Sequence, residues 1–158
     1  MLSGCGGNRL DLYEGTTPTA DLQDYFNGPV KAWGLVQDWR GRVVQRFDVE
    51  MVGSWEGNVG TLREKFVYYD GKTQERVWTI RKLADNQYEG TASDIIGTAS
   101  GATDGSAVRW NYVMDLPVDD TTYRLTFDDW MWVMNDEEIR HHGVRTDHFY
   151  AKTIRRLL

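Results

Sequence analysis

Between Arg42 and Val52 apolar and polar side chains alternate, with Val43, Phe47, Val49 and Met51 interleaved with Val44, Arg46, Asp48 and Glu50. Successive side chains of an extended strand point to opposite faces, so this segment can bury one face and wet the other. The turn Asp38-Trp39-Arg40-Gly41 sets Ala32 to Gln37 against Arg42 to Val52 as a hairpin. Thr61 to Tyr69 then leads through Asp70-Gly71 into Thr73 to Leu83, and Asp85-Asn86 leads into Gln87 to Ser93. Ile95 to Ala102, Ala107 to Met114, Thr122 to Asp128 and Trp130 to Met134 read as further strands, with Val144 to Ile154 as a last candidate. Leu22 to Phe26, ahead of Asn27-Gly28-Pro29, reads as a short turn of helix or an edge segment.

The expected fold is all-β, an antiparallel up-and-down barrel of about eight to ten strands, because closure removes the two edges that a flat sheet would expose. A β-sandwich satisfies the same alternation. Seven Trp, eight Tyr and five Phe suit pleated, half-buried surfaces, and sixteen Gly fall between the apolar stretches. With 158 residues, one core and one domain over 21–158 suffice, preceded by polar residues 1–20 that read as a flexible tether. A net charge of -6 and scattered basic residues exclude nucleic acid and anionic headgroups as the main partner. The one small basic group, Lys152, Arg155 and Arg156, reads as solvated surface.

Cys5 is the lone cysteine and has no internal disulfide partner. Leu2-Ser3-Gly4-Cys5 resembles the lipobox of bacterial lipoproteins, in which the cysteine sulfur carries a diacylglycerol. That resemblance implies a membrane-anchored lipoprotein of the bacterial cell envelope, facing the periplasm. A secretory leader, with a basic start and an apolar run, is absent ahead of it. The plainer alternative is an ordinary exposed thiol. No segment carries the roughly 20 consecutive apolar residues of a spanning helix, so attachment is expected through lipid alone.

Tyr25-Phe26-Asn27-Gly28-Pro29, Ala32-Trp33-Gly34, Phe66-Val67-Tyr68-Tyr69-Asp70-Gly71, Arg76-Val77-Trp78 and Phe127-Asp128-Asp129-Trp130-Met131 together resemble the DUF3833 family over Leu22 to Met134. The resemblance implies a predicted bacterial lipoprotein of unknown biochemical function with a lipocalin-like barrel, and it leans toward a lipid ligand. The stretch from Asn135 to Leu158, with His141-His142 and a basic end, departs from the alternating closing strand that such a barrel would use.

Small barrels either fill their interior with side chains or keep a cavity for one small ligand. Trp55, Tyr68, Trp78, Trp110, Tyr112 and Phe127 are candidates for either use. On the strand Thr73 to Leu83, Gln74, Arg76, Trp78 and Ile80 share one face, which sets a guanidinium among buried residues. Glu64, across the Asp70-Gly71 turn, is its expected carboxylate partner. In the functional version Arg76 receives the carboxylate or phosphate of a fatty acid or other lipid, with Gln74, Glu64, Tyr68, Trp78, Trp110 and Tyr112 around it. In the plainer version Arg76 is a paired internal salt bridge.

Asp128 and Asp129 point to opposite faces of a strand and are expected to cap a turn or bulge rather than act as paired acid and base. Glu64 or Asp94 in an apolar interior would be the general acid or base of a lipid-acting hydrolase or isomerase. Trp130 and Trp132, if exposed, would suit an assembly surface. His141, His142 and His148 lack the spacing of a metal motif, and no nucleophile elbow, phosphate loop or dinucleotide fingerprint is present, so neither metal nor cofactor is expected.

Overall fold

The computed structural model describes residues 9–37, 40–118 and 121–133, together with the backbone of 140–141, 144–145 and 149–157. Cys5 and the lipobox words lie outside the described residues, as do the side chains of all three histidines and of Lys152, Arg155 and Arg156.

Eight strands follow one another: β1 (Gly28–Gln37), β2 (Val43–Glu56), β3 (Val59–Tyr68), β4 (Thr73–Ala84), β5 (Gln87–Thr91), β6 (Ile95–Asp104), β7 (Ala107–Val118) and β8 (Thr121–Val133). Each pairs antiparallel with its successor, which is the up-and-down order expected from the turn spacing. Two short strands, β9 (Arg140–His141) and β10 (Val144–Arg145), and a longer β11 (Phe149–Leu157) complete one continuous sheet. β11 runs antiparallel beside β8, and β10 meets β1 in parallel at Val30. The sheet curls into a half-barrel, and among the described residues no ladder joins the β9 edge to the β11 edge. A single continuous sheet rules out the sandwich.

Two expectations are corrected here. Thr122 to Asp128 and Trp130 to Val133 lie in one strand, β8, because Asp128 and Asp129 stay in register with Asn111 and Trp110 and make no turn; Met134 lies outside the described residues. The last candidate, Val144 to Ile154, divides into β10 and β11.

The concave face carries the core. Val49, Met51, Leu62, Trp78, Ile80, Tyr88, Ala99, Trp110, Leu125 and Phe127 belong to one buried cluster. One end is capped by helix α1 (Leu22–Tyr25). Asp21 is its N-cap, accepting from the backbone N–H of Gln23 and Asp24, and Lys82 on β4 holds the same carboxylate at 2.6 Å. Leu22 and Phe26 are thereby pressed into the core, where Trp55 Nε1 donates to the Phe26 carbonyl at 3.2 Å. Gly53 permits this approach, since a Cβ there would overlap the Phe26 carbonyl oxygen.

The convex face is covered over β7 and β8. A 3-10 turn, Leu10–Tyr13, sets the Tyr13 ring 6.3 Å from Trp130 and 6.0 Å from Trp132. Thr16 bonds to Ser106, and the Ala20 N–H donates to the Gly105 carbonyl at 2.8 Å. Within the stretch expected to be a tether, therefore, Tyr13, Thr16 and Ala20 are held against the sheet. Of the two residues expected to form an assembly surface, Trp130 is 1% exposed, with Tyr13 of the chain's own N-terminal segment packed near it, while Trp132 stays half-buried.

Candidate functional site

Glu64 on β3 and Arg76 on β4 stand directly opposite each other, and Arg76 Nη1 lies 3.5 Å from Glu64 Oε2. The hairpin turn at Asp70-Gly71 fixes this register, so the expected pair forms. The stronger contact is with Asp94, in the turn between β5 and β6. Arg76 Nε reaches both Asp94 oxygens at 3.0 and 2.9 Å, and Nη2 reaches Oδ2 at 2.8 Å. Nη2 also lies 3.4 Å from Met114 Sδ, and the guanidinium carbon sits 5.4 Å from the centroid of Phe66. All three nitrogens of Arg76 are thus engaged, as in the paired-salt-bridge version.

The electrostatics follow from burial. Side-chain exposure is 11% for Arg76 and 12% for Glu64. Burial pushes the Glu64 carboxyl up to about 7; the Arg76 charge and a hydrogen bond from Trp78 oppose this, while Asp94 and Asp129 add to it. For Arg76 burial acts downward, but the hydrogen bonds to Asp94 and the charge of Glu64 prevail and hold it above the ordinary guanidinium value. Burial, and then the Asp129 charge, push the Tyr112 hydroxyl up.

Beside this polar cluster lies a cavity of about 120 Å³. Leu22 and Phe26 of the cap and Leu62 and Ile80 of the sheet close it on one side; Trp78, Trp110, Tyr112 and Met131 form the aromatic and thioether wall; Glu64, Arg76 and Asp129 supply the polar atoms. The wall is held by edge-to-face and stacked rings. Trp78 meets Trp110 at 5.7 Å and 83° and Tyr112 at 5.6 Å and 77°, and Tyr112 stacks on Phe127 at 4.8 Å. The Trp110 ring lies over Gly90 and Gly101, where any Cβ would collide with it.

Of the residues singled out in the sequence, Glu64, Arg76, Trp78, Trp110 and Tyr112 converge on the cavity. Tyr68 and Gln74 do not line it. They form a rim, bonded to each other at 3.0 Å, with Gln74 reaching toward Asp94 at 3.5 Å. Trp55 serves the cap and Phe127 supports Tyr112. Asp128 and Asp129 do face opposite ways, but neither caps a turn. Asp128 is on the convex face, paired with Arg109 at 2.7 Å and accepting from Asn111 at 2.7 Å, contacts that outweigh burial and lower its pKa. Asp129 faces the cavity. Its signal was available, since it shares a period-two face with Phe127 and Met131. Leu22, Phe26 and Leu62 carried no signal, because only the folded cap brings them here.

Among the described residues no group of three His, Cys, Asp or Glu side chains is placed to hold a metal ion, and no helix is long and apolar enough to cross a membrane. A model of a family of proteins of unknown function, DUF3833, matches residues 1–145. The chain belongs to the DUF3833 family. Every residue lining the cavity of this DUF3833 protein, from Leu22 to Met131, falls within that match. No curated protein and no solved structure matches the chain.

Proposed function

We propose that this DUF3833 protein binds or carries a small, largely apolar ligand with one polar end, such as a single-chain lipid, and does so at the bacterial envelope, anchored by a lipid on Cys5. The observation that carries this reading is the cavity itself, an apolar and aromatic hollow with a few convergent polar groups in one wall. At about 120 Å³ it is smaller than the roughly 300–1,000 Å³ of sites that enclose a drug-sized ligand. It suits the polar end and the first carbons of a chain. The remainder would lie along the uncovered side of the half-barrel.

Trp78 and Trp110 in the wall make their fluorescence a direct reporter. Titration with single-chain amphiphiles is expected to shift that emission saturably with one site per chain, and protein produced with an envelope-targeting leader is expected to carry a co-purifying lipid in native mass spectrometry. Absence of both results would remove the reading. Lipidation of Cys5 is checked by the added mass of a diacylglycerol on the same material.

A second reading, a lipid-acting hydrolase or isomerase, draws on Glu64, a carboxyl whose pKa of about 7 suits general acid–base work. Asp94 is less suited, since Arg76 engages both of its oxygens. Turnover of ester or unsaturated lipids that is lost in Glu64→Gln would favour this reading over simple binding.

A further inference from the structure

The cavity wall is unbalanced in charge. Glu64, Asp94 and Asp129 set three carboxyl groups near one guanidinium, that of Arg76. The donors of Arg76 are directed at Asp94 and Glu64, so an incoming carboxylate would have to displace them. Asp129 bonds to the Tyr112 hydroxyl, which spends the hydroxyl proton within the wall. At Glu64 the Trp78 indole N–H bonds to the carboxyl, but Oε2 itself is buried without a well-formed hydrogen bond, with Arg76 Nη1 at 3.5 Å. A buried acceptor without a donor is costly, and a ligand that brings a donor removes that cost. Around the cavity stand the rings of Trp78, Trp110 and Tyr112, and the Arg76 guanidinium already sits 5.9 Å from the Trp78 centroid, as cations do on such π systems.

We propose that the polar end recognised by this cavity is a cation of the alkylammonium class, rather than a carboxylate or a neutral hydroxyl. This rests on the ligand-binding reading above and names the ligand chemistry of the same site. The ammonium group donates to Glu64 Oε2 and lies against the indole and phenol rings, while its alkyl chain meets Leu22, Phe26 and Leu62. The charged and titratable groups facing Glu64 are Arg76 from β4, Asp94 from the β5–β6 turn, Tyr112 from β7 and Asp129 from β8. At the α1 end, Asp21 and Lys82 are paired with each other. A bound cation stabilises the ionised form of Glu64, so binding expels its proton and strengthens as pH rises from 5 toward 8.

The full chain is titrated with octylammonium, octanoate and octanol at pH 7.5, read by tryptophan emission. Octylammonium is expected to bind at least about tenfold more tightly than either of the others. Octanoate or octanol binding as tightly overturns the cation assignment and leaves the binding reading intact; binding of none of the three overturns both. Calorimetry of octylammonium binding at pH 6.5, in two buffers of different ionisation enthalpy, is expected to show release of about half to one proton. Glu64→Gln, which imitates the protonated carboxyl, is expected to abolish that release. Binding by the native chain without proton release also overturns the assignment.

Discussion

Glu64→Gln has an effect on stability whose sign reverses the usual expectation for losing a charged residue. In the unfolded chain Glu64 titrates near its ordinary 4.5, whereas in the fold it titrates near 7. Between those values the native state holds a proton that the unfolded chain has released, so stability falls as pH rises, by about 1.4 kcal/mol per pH unit. The complete raise corresponds to about 3 kcal/mol, reached above the folded pKa and absent below the unfolded one. Glutamine has the shape of the protonated acid and does not titrate. The variant and the native chain are therefore expected to unfold alike near pH 4.5, and the variant to be more stable by about 3 kcal/mol at pH 8. For a domain of this size that difference moves a urea midpoint by about 1–2 M. Equilibrium urea unfolding, followed by tryptophan emission at half-unit steps from pH 4.5 to 8.5, measures it. Curves that stay parallel across that range, or a variant less stable at pH 8, would refute the claim that Glu64 is buried at a cost that Arg76 only partly offsets.

Arg76→Met leaves the buried Glu64 and the half-buried Asp94 without their cation and is expected to cost about 3–5 kcal/mol at neutral pH in the same urea assay, part of it regained on acidification. Gly53→Ala places a Cβ against the Phe26 carbonyl and is expected to cost about 1–3 kcal/mol and to lift α1, seen as faster proteolysis near Leu22. Trp130→Ala removes a fully buried ring from the convex face and is expected to cost about 3–5 kcal/mol and to free residues 9–20, seen as loss of amide protection at Ala20.

Local geometry was the part most open to reading from the chain. Alternation and tight corners determine which faces meet, so the up-and-down order and the Glu64–Arg76 pair follow from the Asp70-Gly71 hairpin, a local turn of known geometry. Contacts between distant segments were not legible. Asp94 lies 18 residues beyond Arg76, and only the curl of the sheet through β5 brings it onto the guanidinium. The packing of Tyr13 on Trp130 likewise depends on a polar segment with no apolar period, which is why residues 9–20 read as a tether. At Asp128-Asp129 turn-forming residue types outweighed the strand pattern in the reading, although Arg109 and Asn111 stabilise Asp128 within an unbroken strand. Cys5 and the histidine side chains belong to stretches outside the described residues.

Amide and methyl chemical-shift mapping with octylammonium tests most directly whether the hollow of the half-barrel is the ligand site. Perturbations concentrated at Leu22, Leu62, Trp78, Trp110 and Met131 are expected, since these residues line the cavity. Perturbations confined to the convex residues Trp33, Val52 and Val77, or none at saturating amphiphile, would contradict it.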